Sequence, residues 1–163
     1  MFFEEDEDEF HVPVAGKFAN RSQARAVAFQ ILFQEELNPN SSNNKHWIGT
    51  FLDQELSGHS EVTRFAQSLI EGVKSKKAEL DRLIANQSRN WSFSRLSVTD
   101  RNILRLSLYE IFDLDTPKAV VISEAIELAK RFGSAESASF VNGILDQFQK
   151  KQNDHFDPES LPD

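Results

Sequence analysis

The apolar positions of this chain recur at three- and four-residue intervals from residue 20 to residue 148. Nowhere do they alternate for the length of a strand. Ala24, Val27, Ala28, Ile31 and Leu32 give the core face of a first helix, capped by Asn20 or Ser22 and stopped after Leu37 by Asn38-Pro39-Asn40. Beyond the polar loop 38–46, Trp47, Ile48, Phe51, Leu52 and Leu56 mark a second helix, ended by Ser57-Gly58. From Glu61 one longer pattern runs through Phe65, Leu69, Ile70, Val73, Leu80, Leu83 and Ile84. Gly72 lies inside it at a cost of about 1 kcal/mol relative to alanine, which predicts a bend or a close approach. Residues 86–94 break the pattern, with Trp91 and Phe93 expected to pack over a helix end.

The segment from Leu96 to Gln147 carries its own punctuation throughout. Ser97 to Asp100 supply caps for a helix whose Ile103, Leu104, Leu106, Leu108, Ile111 and Phe112 are apolar on most sides, so it is expected at the centre. Residues 113–117 form a stop followed by a start, with Pro117 suited to a first helical position. Val121, Ile122, Ala125, Ile126 and Ala129 line the next helix, which ends on Lys130 and Arg131 before Gly133, a residue suited to a left-handed terminus. Ser134 or Ser137 caps a last helix with the stripe Val141, Ile144, Leu145 and Phe148. Gly143 within it suggests a close backbone neighbour. The architecture expected is all-α: a single compact helical domain over 17–151 of about six to seven helices, without internal repeats.

Two features stand outside this core pattern. Phe140 lies about 90° from the centre of the last stripe, a large aromatic at the rim. Arg21 and Arg25 are spaced to project from one side of the first helix, and Arg101 and Arg105 repeat that spacing. Cations on phosphates and bases stacked on aromatic or guanidinium faces are how single-stranded RNA is held. Arginines at this spacing equally suit ordinary ion pairs, and the same residues alone also fit a helical scaffold.

Charge sharpens this picture only when divided. Residues 1–16 hold six acids and 152–163 hold four, with no Lys or Arg in either stretch. Without those ten acids the net charge of −8 becomes +2 for residues 17–151. Both ends read as solvated acidic tails, and a tail of this sign could compete with an anionic ligand. MFFEEDEDEF lacks the basic and apolar regions of a signal peptide, no run of 18 apolar residues occurs, and there is no cysteine; together these favour a cytoplasmic setting.

Catalytic signatures are missing. GxGxxG, the P-loop and GxSxG do not occur, and His11, His46, His59 and His155 form neither HExxH nor ExxH. Glu124 and Glu127 sit among basic neighbours, which suits salt-bridged surface better than acid–base work. No enzyme activity, cofactor or metal site is expected.

The stretches RLSVTDRNILRLSLYEI (95–111), ISEAIELAKRFG (122–133) and FVNGILD (140–146), preceded by the basic RSQARAVAFQILF (21–33), resemble the NusB family of bacterial transcription antitermination factors. The resemblance implies a helical domain that binds boxA-type single-stranded RNA of ribosomal RNA leader transcripts. It implies partnership with NusE, a small-subunit ribosomal protein, within an elongation complex containing other Nus factors, and no contact with DNA or membrane. Residue by residue, the family's basic motif falls on Arg21 and Arg25, its RNA-facing aromatic on Phe140, and the acidic position one turn earlier on Glu136. Its NusE-facing surface falls on Phe33 and Asp100, with Arg101 as a neighbour. Phe33 and Phe140 also suit plain core packing. This chain departs from the family in having only two arginines in RSQAR, in Ser123 where asparagine is usual, and in its acidic N-terminal extension.

Two or three cations give a single-strand salt slope of only about −2, so a partner is expected to complete the site. A NusB-like fold also forms the N-terminal domain of certain ribosomal RNA cytosine methyltransferases, a reading that needs a catalytic domain absent from these 163 residues. A purely protein-binding adaptor is the other alternative.

Overall fold

The computed structural model describes residues 20–39, 44–56, 60–87 and 93–153. The expected tail at 1–16, and Trp91, lie outside the described residues, as does the expected tail at 152–163 apart from Gln152 and Asn153, which belong to the last helix. Seven α-helices occur among them: α1 (Arg21–Leu37), α2 (Asn44–Leu56), α3 (Ser60–Ser75), α4 (Lys77–Gln87), α5 (Val98–Asp113), α6 (Lys118–Phe132) and α7 (Ser137–Asn153). A single 3₁₀ turn, Phe93–Arg95, leads into α5.

Helix α5 is the axis. It packs against α1, α3, α4, α6 and α7, and nine of its residues are buried, including Asn102, Arg105, Ser107 and Glu110. That enclosure follows from its all-round apolar pattern. Helix α1 packs chiefly on α3 and α5, and α7 on α6. The caps are those the chain advertises: Asn20 accepts from the Gln23 N–H, and Ser97 accepts from the Asp100 N–H.

Several local expectations change. The long pattern from Glu61 divides into α3 and α4 at Lys76, whose N–H donates to the Gly72 carbonyl at 3.0 Å and whose carbonyl accepts from Leu80 at 3.0 Å, so the joint is a bend with its hydrogen bonds kept. Pro117 stands at the cap, one residue before α6 begins. Gly133 has φ −95° and ψ −173°, which is extended and not left-handed. Its need is steric: a Cβ there would stand 2.5 Å from that of Ser137. A Cβ on Gly143 would meet nothing within 4 Å, so no backbone crowds it. Trp47 and Phe112 remain 38% and 45% exposed; the first stacks on Phe51 and the second meets Phe148 edge-on. No helix among the described residues is long and apolar enough to cross a membrane.

Gly72 of α3 lies directly against the Tyr109 ring of α5. A Cβ at this position would lie 1.9 Å from the Tyr109 ring. Gly72→Ala should therefore destabilise by about 1–3 kcal/mol or more in urea unfolding, through overpacking. Trimming the ring should recover part of it: Gly72→Ala combined with Tyr109→Leu should lose less than the two single changes together.

Candidate nucleic-acid interface

The turn between α6 and α7 is built by Gly133, Ser134 and Ser137. The Ser137 hydroxyl accepts from the Ser134 N–H at 3.0 Å while the Ser137 N–H donates to the Ser134 carbonyl at 3.1 Å. This small knot starts α7 and carries Glu136, which is exposed, and Phe140, which is half-buried at the edge of the core. The Phe140 N–H donates to the Glu136 carbonyl at 3.0 Å, so both belong to the first turn.

Facing them is the start of α5. A groove of about 490 Å³ is bounded by Phe132, Glu136 and Phe140 on one side and Arg95, Ser97 and Asp100 on the other. Two helix N-termini thus border one groove and add partial positive charge. Its side chains add one guanidinium and two carboxylates, a balance that does not suit a phosphate cradle. It does suit bases: an aromatic face to stack on, and carboxylates to accept from amino groups. Asp100 Oδ1, like Arg101 Nε, is buried without a hydrogen-bond partner among the described residues.

A second groove, of about 320 Å³, adjoins the first. Phe29, Phe33, Trp47, Phe51, Thr99 and Phe132 line it, and Thr99 and Phe132 are common to both. Phe33 is half-buried, its ring 6.0 Å from Phe29, which in turn lies 4.8 Å from Phe132. Among the described residues no charged side chain lines this groove, so its chemistry fits an apolar protein side chain. Phe33, Asp100 and the Glu136–Phe140 turn, from three separate sequence segments, therefore lie along one continuous surface.

The two arginines of the first helix part company. Arg21 is exposed, its guanidinium 4.5 Å from the centre of the Phe65 ring, and it forms no ion pair among the described residues. Arg25 is only 5% exposed. Its Nε donates to Glu110 Oε2 at 2.8 Å, its Nη2 donates to Glu110 Oε1, and Glu124 stands 3.8 Å from Nη1. Burial lowers the affinity of this guanidinium for its proton, but the hydrogen bond to Glu110 and the charges of Glu110 and Glu124 outweigh that and raise its pKa above the ordinary value. The expectation of a phosphate-facing pair is corrected for Arg25, because Gln23 through Phe29 are all buried and α1 has no solvated flank at that point. A glutamate inside the apolar run of α5 was the available signal: buried at position 110, it requires a cation from a neighbouring helix.

Arg101 is corrected in the same way. Its Nη1 donates to the Leu96 carbonyl at 2.7 Å and its Nη2 to Glu36 at 2.8 Å, so it holds α1 to α5 and offers no open fork to a partner. Arg105 is buried between Glu36 and Asp81, at 3.0 and 2.6 Å. Burial pushes the Glu36 carboxyl up, but hydrogen bonds from Arg101 and Asn102 and the charges of Arg105 and Arg101 leave it below the ordinary carboxylate value. Among the described residues no cluster of His, Cys, Asp or Glu is placed to hold a metal ion.

A model of the NusB family matches residues 22–150. The transcription antitermination protein NusB of Bdellovibrio bacteriovorus is 43% identical over 137 residues, covering 82% of this chain and 98% of that protein. Among solved structures, T. maritima NusB aligns with a TM-score of 0.73 at 39% identity, over 81% of this chain and 92% of its own. A chain from a crystal structure of antitermination factors NusB and NusE in complex with dsRNA aligns with a TM-score of 0.71 at 24% identity, over 80% and 96%, a likeness of fold.

If Arg25 serves the interior, its loss is a folding defect. Arg25→Ala should cost about 3–5 kcal/mol in chemical denaturation, because it leaves Glu110 buried and uncompensated. Arg25→Met with Glu110→Leu should be markedly more stable than Arg25→Ala, and should leave the salt dependence of nucleic-acid binding unchanged.

Proposed function

The chain belongs to the NusB family, whose relatives are transcription antitermination proteins, and on that premise we propose a division of labour between its two grooves. Antitermination of transcription is its role. The groove between Phe140 and Asp100 takes bases of boxA-type RNA from ribosomal RNA leader transcripts. The aromatic groove at Phe33 takes NusE, whose contact continues to Asp100 across the shared wall of Thr99 and Phe132. The protein binds and does not catalyse. It acts in the cytoplasm, within an elongation complex that includes other Nus factors.

The observation that carries this reading is the sharing of Thr99 and Phe132 by the two grooves. A partner seated on one groove borders whatever occupies the other, so the two ligands complete each other's site. The orphaned Asp100 acceptor supports it, since a donor from NusE or from a base would satisfy a group that is otherwise buried without a partner. A protein of this fold was crystallised with NusE and dsRNA.

Cooperativity is the direct test. In fluorescence titrations with a boxA oligonucleotide, affinity should rise by about 5- to 150-fold when NusE is present, and RNA should tighten NusE binding by the same factor. Equal RNA affinity with and without NusE would sink the shared-site reading. Phe140 supplies the second test. Phe140→Leu keeps an apolar side chain at the core edge but removes the π face, so boxA binding should weaken by about 1–3 kcal/mol while the melting temperature stays nearly constant. Unaltered binding would return Phe140 to packing alone.

A further inference from the structure

Among the described residues the arginines follow a rule with one exception. Arg25, Arg101 and Arg105, each withdrawn from solvent, are all held by carboxylates. Arg21, Arg64, Arg82 and Arg95 are exposed and bear their charge in water. Arg131 is half-buried at the end of α6, yet no carboxylate lies within ion-pair distance of it among the described residues. Burial lowers its pKa below the ordinary arginine value, and Glu55, beyond ion-pair reach, opposes this only in part. A guanidinium partly withdrawn from water and balanced by no carboxylate keeps its charge available to an anionic partner.

Its position says what would relieve it. The Arg131 guanidinium carbon lies 4.7 Å from the centre of the Phe132 ring. Phe132 is one of the two residues that border both grooves. The cation is thus fixed over an aromatic platform at the junction where RNA and NusE are placed by the proposed function, and that junction otherwise offers RNA two carboxylates against the lone cation Arg95. A strand whose bases enter beside Phe140 must carry its phosphates along the outer lip of the groove. Arginine is the residue that meets such a group with a fork of donors.

We propose that Arg131 is an RNA-binding residue of this protein, taking a backbone phosphate of the strand whose bases occupy the Phe140 groove. This rests on the proposed function and deepens it. Arg131 sets where the backbone lies, and Phe140 and the groove carboxylates receive the bases. Its stacking on Phe132 holds the fork in place before RNA arrives, so little side-chain freedom is lost on binding.

The test is a salt titration of boxA binding in the presence of NusE, with Arg131→Gln and Arg131→Lys beside the unsubstituted chain. Arg131→Gln should bind about 10-fold more weakly, the loss of one charged hydrogen bond. The slope of log affinity against log salt should become shallower by about 0.7, one phosphate contact on a single strand. Arg131→Lys should keep the slope and lose part of the affinity. Because no carboxylate is left behind, Arg131→Gln should melt at or above the temperature of the unsubstituted protein, opposite to a structural arginine. An unchanged slope with boxA binding intact, or a large fall in melting temperature, would overturn this inference and leave the proposed function standing. Failure of the unsubstituted chain with NusE to prefer boxA over a scrambled RNA would overturn both.

Discussion

Two polar clamps set the register of α1 against α5, and the positions of the grooves follow from them. Near the start of α1, Arg25 reaches Glu110 at the end of α5; at its end, Glu36 reaches Arg101, Asn102 and Arg105 near the start of α5. The helices therefore run antiparallel, clamped at two points about 16 Å apart along α1. Buried ion pairs of this kind return little net stability once desolvation is counted. What they supply is a penalty for every other register, since a slip of one turn would strand several charges. With the register held, Phe33, one turn before Glu36, comes to lie beside Thr99 at the start of α5, and both line the same groove. A folding constraint in the interior thus positions the proposed partner surface.

Much of the fold could be read from the residues because its signals are local. The caps Asn20 and Ser97 and the punctuation around Pro117 depend on interactions within a few residues, so sequence alone exposes them. Helix α5 was marked as central by its apolar girth, and it is. Contacts between elements were not legible. Arg25 and Glu110 are 85 positions apart, and the spacing of Arg21 and Arg25 looks the same whether the second arginine meets solvent or a carboxylate. The two glycines show the same limit. Gly133 was expected for its backbone freedom and instead makes room for Ser137, while Gly143, expected to make room, has open space above it.

At the candidate site, Glu136, Phe33 and Asp100 entered through a family resemblance alone, and no periodicity could have joined them to Phe140. Phe140 alone left a trace in the pattern, because a ring set off the core stripe has to be explained. Arg131 left none. Lys130 and Arg131 read as ordinary complements to a helix C-terminus, and the difference between them is tertiary: Lys130 is exposed beside Glu127, whereas Arg131 is drawn inward over Phe132.

The sign of the charge in the grooves explains why such a protein would act with a partner. A surface that held RNA by itself would gather cations along the backbone path, and affinity would come mostly from counterion release. Here the interior has consumed three arginines in structural pairs, and the groove proposed to receive bases presents Asp100 and Glu136. Carboxylates next to a strand repel phosphate unless a base edge or a protein donor engages them. On the proposed function they would reject strands that cannot make those contacts, and would weaken the protein's hold on RNA in general. Discrimination is therefore bought with affinity, and the deficit has to be met by cations and apolar contacts from outside the chain. The aromatic groove at Phe33, continuous through Thr99 and Phe132 with the groove proposed for bases, is the place proposed for that second molecule.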